Sequence, residues 1–330
     1  MRSSSRYSSL FAFLAAATLA SYAQAADRLL YLEAQAVAGY SSCRDKAIFY
    51  SQDQKEVMQK PGVGFDAVQK FSNAQGDFGS LAVQGRLALN VAGSRNVEPQ
   101  LYNAFFKLKT SPADLWVGHN RPALGLSSAL DSHGLLLPPL PMDGFGFDRD
   151  WGLGANRDYT WGDLKASLTS GSGMSLHCNG NWLAAARASW GVLSRDNYSA
   201  GLSAAHGKTL DVMGYHLMQD APMSFSMGGA DITGLWNNWE GRFEAMGGQR
   251  LGEPAYALLW RAGVNLGEEG RLKLEAQPVL LRTGSDTHHK LAGAVSYLIT
   301  SDLTWRGMYQ YDRATDDHRV LAQIYYYLKL

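Results

Sequence analysis

Most of this chain repeats one arrangement: segments of about 10 to 13 residues in which apolar and polar side chains alternate with period two, the spacing at which successive side chains of a strand fall on opposite faces. Trp182, Ala184, Ala186, Ala188, Trp190 and Val192 alternate with Leu183, Ala185, Arg187, Ser189 and Gly191. Tyr256, Leu258, Trp260, Ala262, Val264 and Leu266 alternate with Arg261, Gly263 and Asn265, and Leu272, Leu274 and Ala276 with Arg271, Lys273, Glu275 and Gln277. Trp239, Gly241, Phe243 and Ala245 oppose Glu240, Arg242 and Glu244; Leu303, Trp305, Gly307, Tyr309 and Tyr311 oppose Thr304, Arg306, Gln310 and Asp312. Such segments exceed the ~5 to 6 residues usual in soluble sheets and are long enough to cross a bilayer at a barrel tilt. Aromatic residues gather near their ends, as in a lipid-facing band with interfacial girdles. Strands that cross lipid need every backbone group paired, so the sheet has to close on itself.

Sixteen segments of this kind are predicted, at 27–40, 62–71, 80–92, 100–110, 114–121, 150–158, 160–169, 181–193, 197–206, 229–237, 239–248, 254–266, 271–283, 289–299, 302–312 and 318–330. Their connections alternate in length. Short turns are expected at Thr110–Ala113, Asn237–Asn238, Gly267–Gly270 and Thr300–Ser301, and long outer loops at 41–61, 122–149, 170–180 and 207–228. Pro278 cannot donate to a ladder and is expected to mark a bulge or the outer end of pairing. The fold class expected is therefore all-β: a closed antiparallel transmembrane barrel. No apolar run past the N-terminus reaches the ~20 residues that a membrane-spanning helix needs.

The N-terminus reads as an export signal. Arg2 and Arg6 precede an apolar stretch from Leu10 to Leu19, and Ala23-Gln24-Ala25 offers small residues for cleavage. Residues 1–25 are expected to be removed, leaving 26–330 as the barrel. The 30 basic and 30 acidic residues balance, so net charge points neither to nucleic acid nor to an acidic partner.

Two stretches carry a family likeness. Val320, Ala322, Ile324, Tyr326, Leu328 and Leu330 alternate to the last residue, which resembles the C-terminal assembly signal of outer-membrane barrels, with Leu330 where an aromatic residue is usual. Leu115-Trp116-Val117-Gly118-His119-Asn120-Arg121-Pro122-Ala123-Leu124-Gly125, Asp148-Arg149-Asp150-Trp151-Gly152, Tyr159 and Gly171-Ser172-Gly173 resemble the general porins of Gram-negative outer membranes and, more loosely, the phosphate-selective porins. The resemblance implies a third outer loop folded into the lumen and a homotrimer; it does not carry over phosphate selectivity.

Alternation then assigns the lumen. Arg86, Lys107, Lys109, Lys165, Arg187, Arg242, Arg261, Arg271, Lys273, Arg306 and Arg319 are expected to line the pore, with fewer acids, Glu33, Glu240, Glu244, Glu275 and Asp312. Such a wall favours anions mildly, unless its charges pair with one another. Asp131, His133, Asp143, Asp148, Arg149 and Asp150 flank the apolar run Leu135–Pro141 in the third loop, which either constricts the passage or packs against the barrel interior. Cys43 and Cys178 both fall in outer loops and are disulfide candidates. His177 beside Cys178 and His288 beside His289 lack the ligand spacing of a metal site, and no cofactor is expected. No nucleophile motif accompanies His119, Ser132 and His133, so no enzyme is expected. The function expected is passive diffusion of small polar or anionic solutes through a barrel set in outer-membrane lipid and lipopolysaccharide. The alternative is a sleeve that houses a partner such as a cytochrome.

Overall fold

The computed structural model describes residues 28–43, 46–48, 60–89, 97–131 and 134–330. The expected leader at 1–25 lies outside the described residues, as do Ser132, His133 and much of the first long loop. The described strands are β1 (Arg28–Ser41), β2 (Lys46–Ile48), β3 (Gly62–Asn73), β4 (Gly76–Leu89), β5 (Val97–Lys109), β6 (Asp114–Asn120), β7 (Asp150–Tyr159), β8 (Gly162–Thr169) and β9 (Trp182–Trp190), followed by β10 (Tyr198–Met213), β11 (His216–Trp236), β12 (Trp239–Arg250), β13 (Glu253–Leu266), β14 (Leu272–Thr283), β15 (Asp286–Leu298), β16 (Leu303–Asp312) and β17 (Asp317–Lys329).

Each strand from β3 onward pairs antiparallel with the next, and β17 returns to β1 in unbroken register from Tyr31 opposite Lys329 to Ser41 opposite Arg319. β1 divides its other edge: Arg28–Gln35 pair with β3, while Gly39–Ser41 pair with the short β2. With β2 set aside, sixteen strands form a closed ring. An even number is what allows first and last strands to meet antiparallel. Closure also removes the free edge that would otherwise invite pairing with another chain.

Two faces follow from the alternation. Val63, Leu87, Val117, Leu153, Leu202, Trp260, Leu291 and Val320 are exposed on the outside. Their neighbours along the strands include the buried polar residues Gln35, Arg86, Gln100, Ser167, Arg187, Asp231, Glu244, Arg261, Gln277, Gln310 and Gln323. This inverts a soluble protein, where exposed large side chains are mostly polar. An outside of this kind suits lipid. None of the described helices is long and apolar enough to cross a membrane.

Two rims differ in their connections. One carries two-residue links such as Asn237–Asn238 and Thr160–Trp161; the other carries the long segments 121–149 and 170–181. At the long-loop rim the structure corrects one expectation. Instead of a loop at 207–228, β10 runs on to Met213 and β11 starts at His216, leaving only Gly214–Tyr215 as the turn. The hairpin continues past the apolar band, where side chains such as Lys208, Asp211 and Gln219 no longer display a greasy face, yet the backbones keep pairing through register shifts at Thr209–Val212. Pro278 makes no register shift. It pairs with Leu291 on β15, whereas toward β13 the bridges between Leu259–Val279 and Ala262–Ala276 are missing, as the absent N–H requires.

Leu183, Ala185, Ala205, Phe225, Met227, Met246, Ala255, Ala257, Leu259, Val279 and Leu281 form a buried apolar cluster with Ala123, Leu124, Leu140 and Phe145 of segment 121–149. Leu136 and Leu137 of the same segment join Ala292, Met308 and Leu321 in a second cluster.

Candidate functional site

Away from the two apolar clusters the inner face is polar, and most of its cations are held by acids. Arg187 donates to both carboxylate oxygens of Asp231, at 3.1 and 2.7 Å, and lies 3.7 Å from Asp163. The side chains of Arg187 and Asp231 are only 2% and 1% exposed, so each neutralises a charge that would be costly alone. Lys165 also stands 3.7 Å from Asp163. Glu240 accepts from Arg242 and, at 2.9 Å, from Lys273, whose Nζ is 3.0 Å from Glu275. Lys107 meets Asp114 at 2.6 Å, Arg319 meets Asp317 at 2.9 Å, and Lys60 meets Glu98 at 3.0 Å.

Arg261, Arg306 and Arg86 donate to neutral groups. Arg261 reaches Gln277 Oε1 at 2.6 Å and the Leu137 carbonyl at 3.0 Å. Arg306 reaches Gln323 Oε1 at 2.9 Å, with its guanidinium 4.9 Å from the Tyr325 ring centre. Arg86 donates to Gln100 Oε1 at 2.7 Å and lies over Tyr102. Lys109 is exposed at the short-turn rim, and Arg271 lies outside the strands, exposed, 3.4 Å from Glu269.

Segment 121–149 is bonded to side chains on β5, β8, β10, β12, β13, β14 and β15. The Ala123 N–H donates to Ser167 Oγ on β8 at 2.9 Å, and the Gly125 N–H to Ser203 Oγ on β10 at 3.1 Å. The Leu126 N–H donates to Glu244 Oε1 on β12 at 2.7 Å. Farther along, Leu137 and Pro138 offer carbonyls to Arg261 and Gln277, and Asp143 accepts from Lys290 on β15 at 2.5 Å. The segment returns through Arg149, which is buried and donates to Asn103 Oδ1 on β5 at 2.8 Å and to Asp148 Oδ2 at 2.9 Å. Asp131, largely exposed, accepts from Arg121 at 2.6 Å. The Asp150 carboxylate gathers the N–H groups of Gly171, Ser172 and Gly173 at 2.7 to 3.3 Å, which fastens segment 170–181 to β7.

Several cavities border segment 121–149. One of about 650 Å³ lies beside Pro138, Asp143 and Phe145, with Arg250, Lys290, Asp312 and Arg319 on the wall. Another of about 300 Å³ lies between Arg121–Ser128 and Asn103, Lys107 and Lys165. A third of about 430 Å³ faces Leu126 and Leu130 from Asp163, Arg187, Asp231 and Arg242.

The expected disulfide is overturned. Cys43 and Cys178 are both free and exposed. Cys43 follows β1 and its N–H bonds Asp317 on β17, whereas Cys178 lies between β8 and β9. By strand order these places are on opposite sides of the ring, about seven spacings of ~4.8 Å apart along the wall. A disulfide requires Cα atoms within about 7 Å. Among the described residues no group of three or more His, Cys, Asp or Glu could hold a metal ion.

Sequence reasoning missed several inner-face residues. Asp114, Asp163 and Asp231 each share a face with a basic residue already assigned there, as the ladders Lys109–Asp114, Lys165–Arg187 and Gly201–Asp231 require, so strand parity alone could have found them. Asn103 could not be found that way. A bulge at Tyr102 shifts the register between Gln84 and Gly85, so that Gln100 and Asn103, an odd number of residues apart, bond Arg86 and Gln84 on one face.

No family model matches the chain, and no curated protein matches it. Solved structures do. The trimer form of OmpT, an outer membrane protein of Vibrio cholerae, superposes with a TM-score of 0.66 at 11% identity, covering 92% of this chain and 100% of that one. Salmonella typhi OmpF in complex with daunomycin gives 0.65 at 11% identity, covering 92% and 97%. An anion-selective porin from Comamonas acidovorans gives 0.63 at 10% identity, covering 92% and 100%. At such identities the likeness is one of fold: the chain is a closed, sixteen-stranded antiparallel barrel like those of the outer-membrane porins.

Proposed function

We propose that this chain is a non-enzymatic channel of the bacterial outer membrane through which small polar solutes and ions diffuse passively. The observation that carries the reading is the ring itself, apolar outside and, away from two apolar clusters, polar inside. Sixteen strands enclose a lumen too wide for wall side chains alone to fill. In this reading the long-loop rim faces the exterior, and residues 1–25 are a leader removed on export.

Segment 121–149 narrows the lumen. Support comes from its bonds to β5, β8, β10, β12, β13, β14 and β15, and from its apolar side chains packed against the β9–β17 wall. That packing takes the room that a partner housed in a sleeve would need. The pore-lining charges are Arg86, Lys107, Lys165, Arg187, Arg242, Arg261, Lys273, Arg306 and Arg319 with the acids that pair with them. Because most are paired, selectivity is weak. A mild anion preference rests on Arg261 and Arg306, whose charges meet neutral partners. The assembly is a homotrimer like the trimer form of OmpT.

The test is ion current through the purified protein in a planar bilayer under a salt gradient. Stable steps with a reversal potential slightly favouring chloride are expected; a silent protein would overturn the channel reading.

A further inference from the structure

A notch of about 350 Å³ lies between Leu258, Trp260, Pro278, Leu280, Leu291 and Tyr311, on the outward faces of β13 to β16. It sits where the β13–β14 ladder is interrupted at Pro278, and it runs from mid-strand to the long-loop rim, where Arg313 and His289 complete its lining.

Charge at that rim is sorted by face. Along the strand ends of β13 to β17, the acids Glu253, Asp286, Asp312 and Asp317 share the face of Lys290 and Arg319, toward the lumen. The outward side carries Arg282, His289, Arg313 and His318, all exposed. His318 stacks on Tyr311 with ring centres 4.7 Å apart, beside the notch. Asp316, which accepts from the Tyr311 hydroxyl at 3.2 Å, is the acid among them. An apolar slot crowned by cations and aromatic rings has the chemistry of an anionic amphiphile's seat: a chain below, a phosphate above.

We propose that this notch binds one acyl chain of a phosphate-bearing lipid from the exterior leaflet, with its phosphate held by Arg313, Arg282 and His289. The proposal rests on the reading that the wall spans a bilayer. Lipid seated there fills the slot beside Pro278 and neutralises Arg282 and Arg313 on the outward side.

The test uses the whole purified barrel in detergent, with dioleoyl phosphatidate and dioleoyl phosphatidylcholine as probes, and counts lipids retained per chain by native mass spectrometry. The expected result is one phosphatidate retained where phosphatidylcholine is not. Each cation near a lipid surface is worth about fivefold in affinity, so Arg282→Ala with Arg313→Ala should weaken retention roughly 25-fold. Leu280→Trp, which fills the slot and leaves the cations, should also weaken it. Equal retention of the two lipids or indifference to both variants would overturn the proposal. Single-channel current recorded on the same samples separates the two readings: a barrel that conducts but holds no phosphatidate fails here alone.

Discussion

Replacing Gly125 with alanine tests whether segment 121–149 narrows the passage. The Gly125 backbone, at φ 61° and ψ −165°, occupies a region essentially reserved for glycine. Its N–H bonds Ser203, and the next N–H, of Leu126, bonds the Glu244 carboxylate. A Cβ at this position would overlap Glu244 Oε1. Gly125→Ala therefore brings about 1–3 kcal/mol of backbone strain and endangers a hydrogen bond to a charged group worth about 1.5–3 kcal/mol. With partial relaxation the sum is about 3 kcal/mol, or roughly a hundredfold in the ratio of attached to detached segment at 1.4 kcal/mol per tenfold. No strand pairing runs through Gly125, so the wall should survive, seen as unchanged heat-resistant migration in detergent gels. Single-channel recordings should show a larger main conductance with added flicker. Glu244→Ala removes the atom that the new methyl strikes, so the double variant should cost less than the two singles added together. A conductance histogram for Gly125→Ala identical to the parent's would refute the claim that this attachment sets the width.

Arg187→Ala leaves Asp231 buried without its partner and should cost about 3–5 kcal/mol, read as a lower midpoint of thermal unfolding; Arg195→Ala, at the exposed pair with Asp196, should leave that midpoint unchanged. Arg306→Gln should move the reversal potential in a salt gradient toward cations, whereas Lys107→Gln, which also releases Asp114, should move it more steeply; no movement in either would deny these side chains a place along the ion path. Cys43→Ser and Cys178→Ser should alter neither stability nor its response to reductant, and a maleimide should label two thiols per chain without prior reduction. Val117→Arg, on the outer face of β6, should cost about 2–4 kcal/mol if that face meets lipid at mid-depth, measured by unfolding from vesicles.

The barrel was legible because lipid imposes a rule that sequence displays directly: every other residue of a crossing strand must tolerate hydrocarbon. β9 from Trp182 to Trp190 and β13 from Glu253 to Leu266 show it almost residue for residue. Where lipid stops, the rule stops too. Lys208 to Met213 pair as strand beyond the apolar band, and with no greasy face to mark them they read as loop. The bulge at Tyr102 is hidden for a different reason, since one extra residue reverses the parity of everything after it and leaves no compositional mark. Partnerships such as Arg187 with Asp231 join residues 44 positions apart, and depend on register, which alternation constrains only to odd or even. The cysteines show the same limit in its plainest form: sharing a rim says nothing about which side of it they occupy.

A ring of paired strands has no intrinsic first member. Gln35 bonds Gln323 across the β1–β17 seam at 2.9 Å, 288 positions away, in the same manner that neighbours bond elsewhere. Because the number of strands is even, Arg28 and Lys329 reach the same rim, within a few residues of each other along the ladder. A short peptide joining those ends, with the chain reopened at the Gly267–Gly270 turn, would preserve every pairing while moving the termini to another sector of that rim. The architecture is thus circularly permutable in principle, and the present seam is a matter of gene order rather than of mechanics.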